Sequence, residues 1–535
     1  MENSRDFLTI VDQSHVLRKI LSLISIEDCC NLSITSSHLC DKMETLKCNK
    51  SVTSYNNEFT LKAQFSRGNN FWEPTKTGTT FPNHNFFKIC HFIIDGDSYL
   101  FATEDHKRIG NEMNQILRGS SDFNELRIEF SLSNCFGRQI HDMISQINNS
   151  RIAKIIFSFN EDTKVTNLGN VFKGVFWRFK KVKEIVLDIC DESHLPYIKL
   201  LGDCITNVKA KTKVSICFDT SVGESFYNKF KDYLKYMLAR KIPLSLHEKS
   251  FTIRNYMLGI FGSMESKSLL FITKLSIHAC LNMFLERYSN FLSKMKNLEY
   301  LAIYFYGIKK GWNYIYGQNE EAYNMVGCYG VKKNWNEICN RDDPRYITAK
   351  ISSMKSLKKL KTLSFNYLPS GESDFLSRLT SNFTVWSFLE NISSSVKSLR
   401  LSGFDTIDRI TCFKVNKLFP FLRTLELSSI RVIEAGCLRE FKKLEFFITD
   451  QVNIPFIPKN IETCMVMKNK NFSENQVTKK SSVVDRKYSI IKEHFSKEYL
   501  YGDFGDWSIF FNKFSSAKGV IHNFRELRSY HCFNR

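Results

Sequence analysis

A nine-residue pattern, hydrophobic-x-x-hydrophobic-x-hydrophobic-x-x-Asn/Cys, recurs along the 535-residue chain and constrains its fold more than any other feature. Ile152, Ile155, Phe157 and Asn160 fill it, as do Val182, Ile185, Leu187 and Cys190. Ile272, Leu275, Ile277 and Cys280 form a third full copy, and Ile461, Cys464, Val466 and Asn469 a fourth. Looser copies pass through Leu126 and Ile128, Val214 and Ile216, Leu244 and Leu246, Leu301 and Ile303, Leu363 and Phe365, Leu399 and Leu401, Leu425 and Leu427, and Leu444 and Phe447. Copies beginning at 152, 182, 211, 241 and 272 follow one another at 29–31 residues, and the last steps shorten to 26, 22 and 17. Alternating apolar positions put one row of side chains on a single face of a short strand. The terminal Asn or Cys is placed to bond backbone at the turn leaving that strand. Between strands, Phe226, Phe230, Tyr233, Leu234 and Met237 keep helical spacing, and Phe284, Tyr288, Phe291 and Met295 do likewise. One strand and one helix per unit predict an α/β stack of parallel strands; a doubly wound sheet would have no reason to repeat a nine-residue signature.

These units resemble the leucine-rich repeat, the longer ones its helix-backed, cysteine-containing subclass. The resemblance implies a solenoid over 121–470, with parallel strands on its concave face and helices on its convex face. Residues 51–120 are then a connecting region with an N-terminal cap and irregular first repeats. The step from Leu298 to Leu360 is 62 residues, two units long. It holds the aromatic, glycine-containing stretch with Trp312, Tyr314 and Tyr316, then Trp335 and Arg345. Such loops give rigid contact area at low entropy cost. An inserted loop at 307–350 bearing these five candidate target-binding residues is preferred to a degenerate repeat whose aromatics are core. Beyond 470 the signature stops; 13 Lys and Arg against 7 acids from 465 to 535, with several aromatics, predict a basic, aromatic-rich C-terminal cap over 471–535.

Near the N-terminus, Val16, Leu17, Ile20, Leu21 and Ile24 lie on one face of a helix. Ser25 stands three residues before Asp28 as a helix start, and Cys29 and Leu32 carry a second helix inward. So short a module has little core of its own, and its wide apolar face needs a cover. The run Val16-Leu17-Arg18-Lys19-Ile20-Leu21, the turn Ser25-Ile26-Glu27-Asp28 and the stretch Leu32-Ser33-Ile34-Thr35-Ser36 resemble the F-box, with Asp12-Gln13 where that motif has Leu-Pro. A small all-α F-box-like module is therefore expected over 5–50. F-box proteins with leucine-rich repeats are substrate receptors of cullin-based ubiquitin ligases. The resemblance implies that Val16, Leu17, Ile20, Leu21, Ile24, Cys29 and Leu32 dock the adaptor subunit while the solenoid binds a target. The alternative is a helical cap on the repeat array of a scaffold or nucleic-acid-associated protein.

Composition narrows the partners. The net charge of +20 attracts acidic partners without indicating nucleic acid, since no dense basic stripe is interleaved with aromatics. Lys154, Lys183, Lys274, Lys361 and Lys397 fall at outward strand positions, which favours acidic or phosphorylated targets, though Glu184, Glu299 and Glu426 share similar places. The 16 cysteines include no C-x-x-C pair and no zinc-spaced Cys/His cluster. With no secretory leader pattern and no apolar run of membrane-spanning length (about 18 residues), a cytoplasmic or nuclear protein with reduced thiols is expected. No phosphate-binding loop, zinc-protease or serine-hydrolase motif is present. Asp503-Phe504-Gly505 spells a kinase metal-binding triplet without the other kinase segments, and His91, His278 and His494 are isolated. Neither catalytic residues nor a cofactor or metal site is expected, and the protein is read as non-enzymatic.

Overall fold

The protein, described from a computed structural model, is α/β. The structure describes residues 58–65, 71–74 and 89–97, most of 103–306, 351–368, most of 385–467, and the segments 500–504 and 507–511. The chain forms two compact units, residues 1–244 with 497–535, and residues 245–496.

In the first unit the strands are β1 (Glu58–Phe65), β2 (Phe71–Pro74), β3 (Ile89–Asp97), β4 (Glu125–Ser133), β5 (Cys135–Phe136), β6 (Lys154–Phe159), β7 (Val165–Thr166), β8 (Glu184–Ile189) and β9 (Lys213–Phe218). Strands β1, β3, β4, β6, β8 and β9 pair in parallel in that order. Strand β2 runs antiparallel on the free side of β1, β5 and β7 form a small separate pair, and Leu500–Phe504 makes a hairpin with Trp507–Phe511. The register aligns Leu126, Ile155, Ile185 and Val214, and beside them Ile128, Phe157, Leu187 and Ile216. All eight are buried, each worth about 1.5–3 kcal/mol relative to an exposed side chain.

This apolar face meets the helical layer. The Phe157 ring lies 5.2 Å from Phe172, and the Phe218 ring 4.8 Å from Phe230 of helix Gly223–Ala239. That helix buries Phe226, Phe230, Leu234 and Met237, the spacing the sequence predicts. A further helix, Thr103–Gly119, buries His106, Ile109, Gly110, Met113, Asn114 and Leu117. Gly110 lets it approach helix Gly137–Ile144 closely, because a Cβ there would stand 2.1 Å from the Met143 carbonyl oxygen.

The second unit continues with β10 (Leu244–Glu248), β11 (Ile272–Ala279), β12 (Tyr300–Tyr306), β13 (Thr362–Leu368), β14 (Ser398–Ser402), β15 (Thr406–Ile407), β16 (Thr424–Ser428), β17 (Val432–Ile433), β18 (Phe446–Thr449) and β19 (Thr463–Met467). Strands β11, β12, β13, β14, β16, β18 and β19 pair in parallel, again in chain order, and β15 pairs with β17. One buried row runs through Leu275, Leu301, Leu363, Leu399, Leu425, Phe447 and Cys464. β12 and β13 are direct neighbours, so no strand from the long connection after Tyr306 stands between them.

Side chains other than the signature residues also bond the turns. Asn160, the signature residue of its repeat, donates to Ser131 Oγ at 3.4 Å. It is Thr163 that ties the strand end, donating to the Phe130 carbonyl at 2.6 Å and accepting from the Leu132 amide at 3.3 Å. A second device sits three residues ahead of β12, β14 and β19. Asn297 donates to the Leu270 carbonyl at 2.8 Å; Ser395 Oγ bonds the carbonyls of Leu357 and Leu360; Asn460 Nδ2 bonds those of Phe441 and Leu444 at 2.8 and 3.1 Å. Each side chain thus satisfies carbonyls of the preceding turn that no ladder reaches. Asn460→Ala is expected to cost about 1–2 kcal/mol, because both carbonyls lose their donor. Hydrogen exchange at β18 and β19 checks this; unchanged protection there would show that water replaces the amide without loss.

Candidate binding surface

Strand alternation that sends one row of residues into the helical layer sends the intervening row to the opposite sheet face. In the first unit that face carries Glu125, Lys154, Glu184 and Lys213 in one line, then His91, Arg127, Ile156, Val186 and Ser215, then Glu129, Ser158, Asp188 and Cys217. Several of its polar groups meet across strands. Lys154 Nζ lies 3.3 Å from Glu125, His91 Nε2 3.3 Å from Glu129, and Ser215 Oγ donates to Glu184 at 2.5 Å. Burial opposes charge on the Lys154 amine, but Glu125 and Glu184 outweigh it and hold its pKa above the ordinary lysine value. This lysine is therefore engaged within its own sheet, whereas Lys183, Lys361 and Lys397 are exposed. Ile156, Val186 and Cys217 form a buried apolar strip on the same face.

The second unit presents a different mixture. Its outward lines run through Lys274, Tyr300, Thr362, Ser398, Thr424, Phe446 and Thr463, and through Ser276, Ala302, Ser364, Arg400, Glu426, Ile448 and Met465. A third line contains His278, Tyr304, Asn366, Ser402 and Ser428. His278 stacks on Tyr304 with centroids 4.7 Å apart and 15° between planes. Its Nε2 pairs with the Glu248 carbonyl oxygen at 3.0 Å, and the Glu248 carboxylate accepts from the His278 amide at 2.9 Å. His247 Nδ1 meets Ser276 Oγ at 3.0 Å, and Asn366 donates to Ser364 Oγ at 3.0 Å.

On the same face Arg400 Nε lies 3.0 Å from Oε1 of the buried Glu426, a charge contact rather than an aligned hydrogen bond. Burial pushes the Glu426 carboxyl above its ordinary pKa, Arg400 pulls it back and Asp450 adds to the rise. Among the described residues the buried Ser428 hydroxyl has no hydrogen-bond partner, nor has Asp450 Oδ1, although Asp450 Oδ2 accepts from the Ser429 amide at 2.7 Å. Among the described residues no cluster of three or more His, Cys, Asp or Glu is placed to hold a metal ion.

Both sets of sequence-predicted contact residues, Val16, Leu17, Ile20, Leu21, Ile24, Cys29 and Leu32 for the adaptor and Trp312, Tyr314, Tyr316, Trp335 and Arg345 for the target, lie outside the described residues, as does His494. Asp503 and Phe504 fall in the hairpin, opposite Ser508 and Trp507. No described helix is long and apolar enough to cross a membrane. What the sequence did not flag is the Arg400–Glu426 pair; a basic and an acidic residue at the same place in successive copies of the signature is the signal that exposes it. No protein-family model matches the chain, and no curated protein matches it.

Proposed function

We propose that the chain is a non-catalytic substrate-recognition subunit of a cullin-type E3 ubiquitin ligase, working in the cytoplasm or nucleus. Its body would be a leucine-rich-repeat solenoid that holds the target on its strand face, and residues 5–50 an F-box-like module that holds the adaptor. The observation that carries the reading is the in-register parallel ladder from β11 to β19, one strand per sequence repeat. Repetition of this kind builds a long one-dimensional recognition surface from adjacent strands. The F-box-like run ahead of it supplies the second, separate attachment. Holding both partners at once raises the effective concentration of target lysines near a charged ubiquitin-conjugating enzyme, with no chemistry required of this chain.

The test is capture of the purified cullin-ligase adaptor by the full chain. Wild type should retain it, and Leu17→Asp combined with Ile20→Asp should reduce capture at least tenfold while circular dichroism stays unchanged. Failure of the wild type to capture the adaptor, or capture indifferent to both substitutions, would overturn the ligase assignment. Salt-sensitive RNA binding that survives the substitutions would point instead to a nucleic-acid scaffold.

A further inference from the structure

On the helix-bearing side of the first unit, separate from the strand face, lies a cleft of about 340 Å³. Its floor is Phe172 and Phe176, whose rings pack on Phe157 of β6, and helix Pro196–Ile205 supplies Leu200, Asp203 and Cys204 to its wall. Successive residues of a 3₁₀ helix point about 120° apart. In the 3₁₀ turn Phe176–Arg178, burying Phe176 therefore turns Trp177 outward. Trp177 is 68% exposed, although an indole of this size gains several kcal/mol from burial and most of that is not taken up within the unit.

Among the described residues, the charges at the cleft that lack an ion-pair partner are cationic. Its single lining acid, Asp203, is engaged by the Tyr236 hydroxyl and by Arg240 Nη2 at 2.8 Å, and Arg240 also stacks 3.8 Å above the Tyr236 ring. Burial and the bond to Asp203 push the Tyr236 phenol up to about 12, and burial pushes the Cys204 thiol up to about 11, so both stay neutral. Lys173 stands at the rim, Arg178 lies 5.5 Å over the Trp177 ring and Lys199 Nζ 5.7 Å over the Tyr236 ring, and the exposed Lys180 and Lys181 follow Arg178 along the chain. Among the described residues none of these four lysines has an acidic partner.

We propose that this cleft docks an acidic peptide segment of a partner protein, its one apolar side chain inserted between Trp177 and Leu200 and its flanking carboxylates set against Lys173, Lys180, Lys181 and Lys199. Charge complementarity selects the occupant, and a tryptophan beside an arginine brings together two of the residue types that dominate interface hot spots. Inside the cleft a nucleic-acid base would find the Asp203 carboxylate already bonded and the Cys204 thiol neutral, leaving its edges Lys173 and the Trp177 indole, whereas a carboxylate-bearing peptide uses the cations directly. The site does not depend on adaptor capture and would stand if the ligase assignment fell.

The probe is a fluorescein-labelled heptapeptide with a central phenylalanine flanked by three glutamates on each side, titrated into the full chain by anisotropy. Saturable binding is expected, weakened at least tenfold by Trp177→Ala, by Lys173→Glu, and by alanine at the peptide's centre, and restored towards wild type by Trp177→Phe. Adaptor capture should be unchanged in these variants. No binding, binding indifferent to Trp177→Ala, or displacement of the peptide by a uridine-rich RNA oligomer would each overturn the proposal.

Discussion

Replacing Arg400 with Met is expected to destabilise the second unit by about 3–5 kcal/mol at neutral pH, the usual cost of stranding one member of a buried ion pair. Glu426 is only 4% exposed and its carboxyl already sits above the ordinary range, with Asp450 pushing it further. Removing Arg400 takes away the cation that, among the described residues, favours ionised Glu426. The sign of the pH dependence follows. A carboxyl raised in the folded state takes up a proton on folding, so the deficit is full above the folded pKa. It shrinks as pH falls from there towards the unfolded value of about 4.3. Replacing both residues, Arg400→Met with Glu426→Leu, should recover most of the loss, because two apolar side chains of similar volume replace two desolvated charges. Thermal unfolding at pH 7 and pH 5, with hydrogen exchange at β14 and β16, reads both effects. A single variant as stable as wild type at pH 7 would mean that solvent reaches Glu426.

Gly403→Ala should cost about 3 kcal/mol or more. Gly403 has φ of +81°, where an L side chain is strained, and a Cβ would stand 2.0 Å from the carbonyl oxygen of Tyr367 in β13. The neighbour cannot give way, since Tyr367 is held in the β12–β13 ladder and the Gly403 amide itself donates to the Ser428 carbonyl at 2.9 Å. Loss of protection at the ends of β13 and β14 is the expected signature; full protection in the variant would show the backbone relaxing into an unstrained turn.

The repeat positions were legible because strand burial has a period of two and the core rows are uniformly apolar. Leu363, Leu399 and Leu425 are separated by different chain lengths, yet they stand side by side in the sheet. Helix Gly223–Ala239 was legible for the same reason, with Phe226, Phe230 and Leu234 on one face. Helix Thr103–Gly119 was not, because its buried face includes His106, Gly110 and Asn114, which hide the apolar period. Asn114 is buried for a bond, accepting from the Asn148 amide at 3.0 Å. Trp177 gave no signal either, since nothing in Phe176-Trp177-Arg178 says which ring turns inward.

The α/β class and the parallel succession of strands were determined by the sequence, because both follow from local periodicity repeated often enough to leave one arrangement that buries every apolar row. Which outward residues meet was decided by tertiary structure alone. The pairing of Arg400 with Glu426, of Lys154 with Glu125 and of His278 with Tyr304 depends on register between strands brought together by crossovers of unequal length. Hydrophobic burial specifies that register through the core face, and the opposite face inherits its neighbours as a consequence.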